Sequence, residues 1–154
     1  MSSCLRSALV VAGLLMLAVT GLQGQAREWQ VQGLAALSDS TFVGGGMGFA
    51  LRSRGRARIG ISANVGDREG ALAGRAELVV SYHLNPFRRR GLAPYAGGGV
   101  TVGATEDGLV EYVVVLVGVE TGPGGRSGWF LEAGLAGGVR ASAGFRVRWR
   151  PSGR

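Results

Sequence analysis

The chain has 154 residues, 29 of them Gly and only one Cys, and a formal net charge of +7. A single cysteine excludes an intrachain disulfide framework and any cluster of thiolate metal ligands. All 17 basic residues are Arg and none is Lys. So basic a chain raises nucleic acid as a partner. Many of the Arg residues, however, alternate with apolar residues within strands, and an N-terminal export leader also argues against it, so no nucleic-acid partner is expected.

The N-terminus reads as an export leader. Met1–Arg6 is a short basic n-region, Ala8–Val19 an apolar h-region, and Gly24-Gln25-Ala26 a small-x-small cleavage site. Cleavage after Ala26 is expected, which makes 1–26 a signal peptide and 27–154 one domain. Cys4 lies in the leader, so the mature chain would hold no thiol.

Eight alternating segments follow, with turn signals between them. Trp29–Leu37 places Trp29, Val31 and Leu37 on one face and Gln30 and Gln32 on the other. Phe42–Leu51 opposes Val43, Met47 and Phe49 to Gly44, Gly46 and Gly48. Arg56–Val65 opposes Ala57, Ile59 and Ile61 to Arg56, Arg58 and Asn64. Ala71–Leu84 opposes Leu78, Val80 and Tyr82 to Arg75, Glu77, Ser81 and His83. Leu92–Gly103 has Pro94 near its start, as suits a strand end. Leu109–Val119 is nearly all apolar, broken by Glu111, with Tyr112, Val114 and Leu116 on the other face. Gly128–Val139 carries Trp129, Leu131 and Glu132. Arg140–Trp149 alternates Phe145, Val147 and Trp149 with Arg146 and Arg148. Period-two alternation of this length means strands with two unlike faces. No segment after the leader shows a helical period with caps.

Strands of about ten residues fit the ~9–11 needed for a tilted transmembrane strand. The polar faces carry both signs of charge. Arg56, Arg58, Arg75, Arg146 and Arg148 could pair with Glu77, Glu111 and Glu132 across a narrow lumen, and a closed polar interior requires such pairing. With strands running alternately up and down, Trp29, Tyr82, Trp129 and Trp149 fall at one end on the apolar face. Amphipathic rings so placed form an interfacial girdle. The expected fold is all-β, an eight-stranded antiparallel up-and-down barrel with lipid outside, too narrow for an open pore.

The segment Ser142-Ala143-Gly144-Phe145-Arg146-Val147-Arg148-Trp149 and the strand Leu92-Ala93-Pro94-Tyr95-Ala96-Gly97-Gly98-Gly99-Val100 resemble motifs of the small eight-stranded bacterial outer-membrane barrels of the OmpA/OmpX type. The resemblance implies outer-membrane localisation, and a terminal signal read by the barrel-assembly machinery at Ser142, Gly144, Val147 and Trp149. It implies outer-membrane lipid as the surrounding partner and a monomer. The chain departs from the family in two ways. Arg150–Arg154 follows the terminal aromatic residue, and all loops are short. The Arg-rich turns Arg52-Ser53-Arg54 and Arg88-Arg89-Arg90 would face the periplasm, and Asp67, Glu69, Glu106 and Asp107 the outside.

Some such barrels act on lipid acyl chains. His83 is the only histidine, with Ser81 and Glu77 on the same face. Same-face neighbours on a strand are about 7 Å apart, so a relay would need partners from other strands. No His pair or Cys cluster marks a transition-metal site. Asp67 and Glu69 alone do not make a Ca²⁺ loop, and Gly97-Gly98-Gly99 is not followed by the helix of a phosphate loop. No cofactor and no catalytic site are expected. A structural or surface-interaction role is the leading expectation. A soluble barrel binding an apolar ligand inside is the alternative, and a lipid-modifying barrel enzyme the third reading.

Overall fold

The computed structural model describes residues 26–105 and 108–149. The expected leader lies outside them except for Ala26, as do Glu106, Asp107 and Arg150–Arg154. Eight strands form in chain order: β1 (Ala26–Leu37), β2 (Phe42–Arg52), β3 (Ala57–Arg68), β4 (Ala71–His83), β5 (Leu92–Thr105), β6 (Gly108–Thr121), β7 (Ser127–Leu135) and β8 (Val139–Trp149). Each pairs antiparallel with the next, and β8 returns to β1 to close the barrel. Closure leaves no unpaired edge strand, since each strand has a hydrogen-bonded neighbour on both sides.

The expected segments and the strands agree in number and order, and differ at their ends. β7 stops at Leu135, and residues 136–138 turn the chain into β8. β1 begins before Trp29 and β6 runs past Val119. The tightest connection is Glu69-Gly70, where φ is +55° and +87°. Two successive positive φ values match the twist of a two-residue hairpin. The Asp67 carboxylate accepts the Gly70 N–H at 2.9 Å.

The alternation decides the radial direction of every side chain. Val117 is 62% exposed and Met47 62%, whereas Arg146 is fully buried. The apolar face therefore points outward and the polar face fills the lumen. Bulk and glycine are matched across the inner wall: Tyr95 lies over Gly118, and the Phe130 ring over Gly144. At the far end Leu34, Ala36, Phe42 and Ala73 form an apolar plug.

The two rims differ. One holds the start of β1, the end of β8 and the turns at 53–56, 84–91 and 122–126. The exposed Arg27, Arg54, Arg56, Arg88, Arg89, Arg90 and Arg126 all belong to it. Its mouth is covered by two turns tied together, Gly122 N–H donating to Gly91 O at 3.0 Å and Gly124 N–H to Arg88 O at 2.8 Å. Pro123, between these glycines, is fully buried. The other rim carries the exposed Asp39, Asp67, Glu69 and Glu111. Arg68, half-buried at this rim, bonds Ser40 Oγ at 2.7 Å.

A Cβ at Gly144 would stand 2.1 Å from Val31 O and 2.8 Å from the Phe130 ring. Gly144→Val is expected to destabilise the barrel by about 1–3 kcal/mol through overpacking, read as a lower urea midpoint in detergent. An unchanged midpoint would show that the β1–β8 seam can shift to accept a side chain.

Candidate functional site: the charged lumen

Alternation along β1, β2, β3, β4, β6, β7 and β8 directs six arginines and four glutamates into the lumen. They form two connected layers. The layer nearer the Arg-rich rim is built on Glu28 and Glu120. Glu28 accepts from Arg58 Nε at 2.5 Å, Arg148 Nε at 2.5 Å and Arg52 Nη2 at 3.2 Å. Glu120 accepts from Arg52 Nη1 at 3.0 Å, Arg146 Nη1 at 3.1 Å and Arg148 Nη2 at 2.7 Å.

The deeper layer is built on Glu132 and Glu77. Glu132 accepts from Arg146 Nη2 at 2.9 Å, Arg140 Nη1 at 3.0 Å, Tyr95 OH at 2.8 Å and Ser142 Oγ at 2.9 Å. Glu77 accepts from Arg140 Nη2 at 2.6 Å and Arg75 Nε at 3.0 Å. Arg146 joins the layers, since it donates to both Glu120 and Glu132. Its guanidinium carbon also lies 3.9 Å from the centre of the Phe130 ring. Charge-assisted bonds of this kind are about twice as strong as neutral ones, and the forked guanidinium can hold two carboxylates at once.

Neutral polar groups extend the network. Arg58 Nη2 donates to Gln30 Oε1 at 2.6 Å, Gln30 to Gln32 at 2.6 Å, and Gln32 to Asn64 Oδ1 at 2.9 Å. Two interior cavities among the described residues measure about 20 and 30 Å³, room for roughly one water each.

Of the residues expected in the lumen, Arg58, Arg75, Glu77, Glu132, Arg146 and Arg148 meet there. Arg56 and Glu111 do not; both are exposed. Arg56 precedes β3 and leans toward the outward Tyr82, its guanidinium carbon 5.9 Å from the ring centre. Glu111 falls on the outward parity of β6, near the acidic rim. Even positions of that strand point inward, as Val114, Leu116 and Glu120 do. Tyr112 shares this inward parity and packs over Gly137.

Four charged members of the network stand outside the expected set. Glu28 precedes Trp29, where the first segment was expected to start. Arg52 follows Leu51 as an expected turn residue. Glu120 lies one residue beyond the expected end of the sixth segment. Arg140 opens the eighth segment, and its parity with Arg146 and Arg148 is the signal that marks it as inward.

Ser81 and His83 also depart from expectation. Their side chains lean together, with Ser81 Oγ 3.3 Å from His83 Nε2. Across the lumen His83 Nδ1 lies 2.8 Å from Glu120 Oε1, though not aligned as a hydrogen bond. The distances suit a nucleophile, base and acid. The setting does not: His83 is fully buried and stacked on Tyr95 at 4.6 Å, and Ser81 is 3% exposed. Glu120 is already bound by three arginines.

On the outer wall Trp29, Tyr82, Trp129 and Trp149 stand at the Arg-rich rim, each more than half exposed. Trp29 packs edge-on against Phe49 and Trp129 against Phe145, at 5.3 and 5.1 Å. On β8, Ser142 and Gly144 face inward and Val147 and Trp149 outward.

No family model matches the chain, and no curated protein matches it in sequence. Solved structures share its fold. The N-terminal β-barrel domain of Pseudomonas aeruginosa OprF superposes with a TM-score of 0.60 at 16% identity, covering 82% of this chain and 100% of that one. Neisserial surface protein A (NspA) superposes with a TM-score of 0.53 at 15% identity, covering 82% of this chain and 98% of that one.

Removing one member of a buried pair strands its partners. Glu120→Ala is expected to destabilise the barrel by about 3–5 kcal/mol, while the exposed Glu111→Ala stays within about 0.5 kcal/mol of the parent. Urea unfolding of both variants in the same detergent measures the contrast. Equal midpoints would show that Glu120 carries no special share of the lumen.

Proposed function

We propose that the chain is an integral outer-membrane β-barrel protein with a structural or surface-interaction role, without catalysis and without an open pore. One observation carries this reading: a closed sheet presents its apolar face outward and holds its charges inside. Water-soluble barrels need the reverse. A barrel that binds an apolar ligand would keep Arg58, Arg146 and Arg148 solvated, and all three are buried here. A membrane-spanning sheet must close, present apolar side chains to lipid and satisfy its polar groups internally.

Further features agree. No helix among the described residues is long and apolar enough to cross a membrane, so the strands are the elements available to span it. The aromatic ring at one rim matches an interfacial belt. The name of NspA describes a surface protein, in keeping with a place at the cell surface. We assign residues 1–26 to export and the terminal Ser142, Gly144, Val147 and Trp149 to recognition by the barrel-assembly machinery. The N- and C-terminal ends of the barrel then face the periplasm, and the protein works as a monomer in outer-membrane lipid. The Ser81–His83–Glu120 cluster is read as packing, because no acyl chain can reach a serine enclosed by the lumen.

The protein is expected to stay with membranes through salt and alkaline washing, and to run faster on gels unheated than heated. Recovery in the soluble periplasmic fraction would refute the proposal. The three tryptophans of the chain share one rim, so intrinsic fluorescence reports that rim alone. Lipids brominated near the headgroup should quench it more strongly than lipids brominated at the chain ends; the opposite order would displace the girdle from the interface. Planar-bilayer recordings should show no steady channel, and reproducible ohmic steps would contradict the filled lumen.

A further inference from the structure

We propose that the outer wall beside the Arg-rich rim holds one anionic diacyl phospholipid, its phosphate between Arg56 and Arg88 and one acyl chain in a groove over β4–β7. The inference rests on the membrane reading above and adds a defined ligand site to it.

The groove follows from register. Tyr82, Ala96, Val117 and Ala133 are successive partners across β4, β5, β6 and β7. Large and small side chains alternate along this row, so the wall sinks at the two alanines. In the adjoining row Pro94, Val119 and Leu131 are likewise partners, and Leu84 N–H donates to Pro94 O at 3.1 Å. Together these residues line an almost wholly apolar cleft of about 530 Å³ that opens on the outside of the barrel. A flexible acyl chain fits such a cleft, and a charged ligand does not.

The cleft does not end blindly. Leu84 also lines a second pocket, of about 410 Å³, with Arg56, Asn85, Pro86, Phe87 and Arg88. Apolar groove and cationic pocket thus share a wall, and the cationic part lies on the rim side. This is the order of parts in a phospholipid, chain first and headgroup at the interface.

Both arginines are exposed and preset. Arg56 is placed over the Tyr82 ring. Arg88 donates from Nε to Arg90 O at 2.9 Å and from Nη1 to Leu92 O at 3.1 Å. Side chains already held in place lose less freedom on binding, and guanidinium groups suit phosphate oxygens. Among the described residues every exposed carboxylate sits at the opposite rim, so no acid competes for these two arginines. That charge arrangement selects an anionic headgroup over a zwitterionic one.

The test uses the refolded full barrel in vesicles of phosphatidylcholine with an equal share of phosphatidylglycerol, followed by detergent extraction and native mass spectrometry of retained lipid. One phosphatidylglycerol per barrel should be retained at least fivefold over phosphatidylcholine. The double variant Arg56→Gln, Arg88→Gln should lose that preference, whereas Arg126→Gln, on the same rim outside the pocket, should keep it. Ala133→Phe, which fills the groove from the lipid side, should reduce retention of either lipid at least fivefold. The mobility shift of unheated samples verifies that each variant is folded; if the double variant loses it, Ala133→Phe decides alone. A folded, inserted barrel with no preference, or one whose preference survives these changes, overturns the lipid site and leaves the membrane reading intact. A chain that remains in buffer without entering vesicles overturns both.

Discussion

The fold depends on one constraint: charge enclosed by a barrel must be paired by the barrel. Glu120 shows how tightly this binds the strands together. Its carboxylate from β6 meets Arg52 of β2 and Arg146 and Arg148 of β8, and stands against His83 of β4. Four alternate strands therefore converge on one group. A slip of one residue in any of them would send its charged side chain to the outer wall and an apolar one to the lumen. The network therefore selects a single register around the closed sheet, which a smooth apolar core could not do as sharply. Whether it adds net stability is a separate question, because desolvation offsets much of the attraction between buried ions.

The lumen holds two more arginines than glutamates. The surplus is taken up by neutral acceptors and by π-faces. Arg58 reaches Gln30, Arg75 Nη2 donates to Ala136 O at 3.3 Å, and Arg148 Nη1 to Gly122 O at 3.4 Å. Arg146 lies between Phe130 and Tyr95. The glycines of the inner wall make room for this. Where β5 and β7 supply Tyr95 and Phe130, β6 and β8 supply Gly118 and Gly144. Bulky rings and long guanidinium chains then fill a narrow cylinder without forcing the strands apart.

Much of this was legible in the sequence, and the illegible parts share a physical origin. Period-two alternation is strong where the two faces differ sharply, as in β3 and β8. There Arg58, Arg146 and Arg148 and their outward neighbours could be assigned without a structure. In β6 nearly every residue is apolar, so the sequence offers no contrast from which to read parity. The parity error at Glu111 follows from this, while Glu120 was missed because it lies just past the expected end at Val119. Strand ends are the second weak point. Glu28 and Arg52 stand next to turn-like residues, yet pairing between β1, β2 and β8 continues to the rim and carries both inward. Arg56 erred the other way, as a polar residue in step with β3 that lies just before the strand begins. The contact between Ser81 and His83 was hidden because backbone spacing fixes only where side chains start, not how they lean.

The absence of lysine follows from the same physics. A lysine in this lumen would bring a compact, strongly hydrated charge with three donors, and would have to shed that hydration without a planar face to lay against a ring. An arginine spreads its charge over a plane with five donors, bridges two carboxylates as Arg146 and Arg148 do, and can stand over a ring as Arg146 does over Phe130. Four glutamates here serve six arginines, among them Arg146 and Arg148, which each bridge a pair of carboxylates. The same side chain suits the rim, where the Arg56 guanidinium stands by the outward Tyr82 ring and keeps its donors exposed. A composition that at first suggested a nucleic-acid partner is thus one that suits a narrow barrel packing its charges inward.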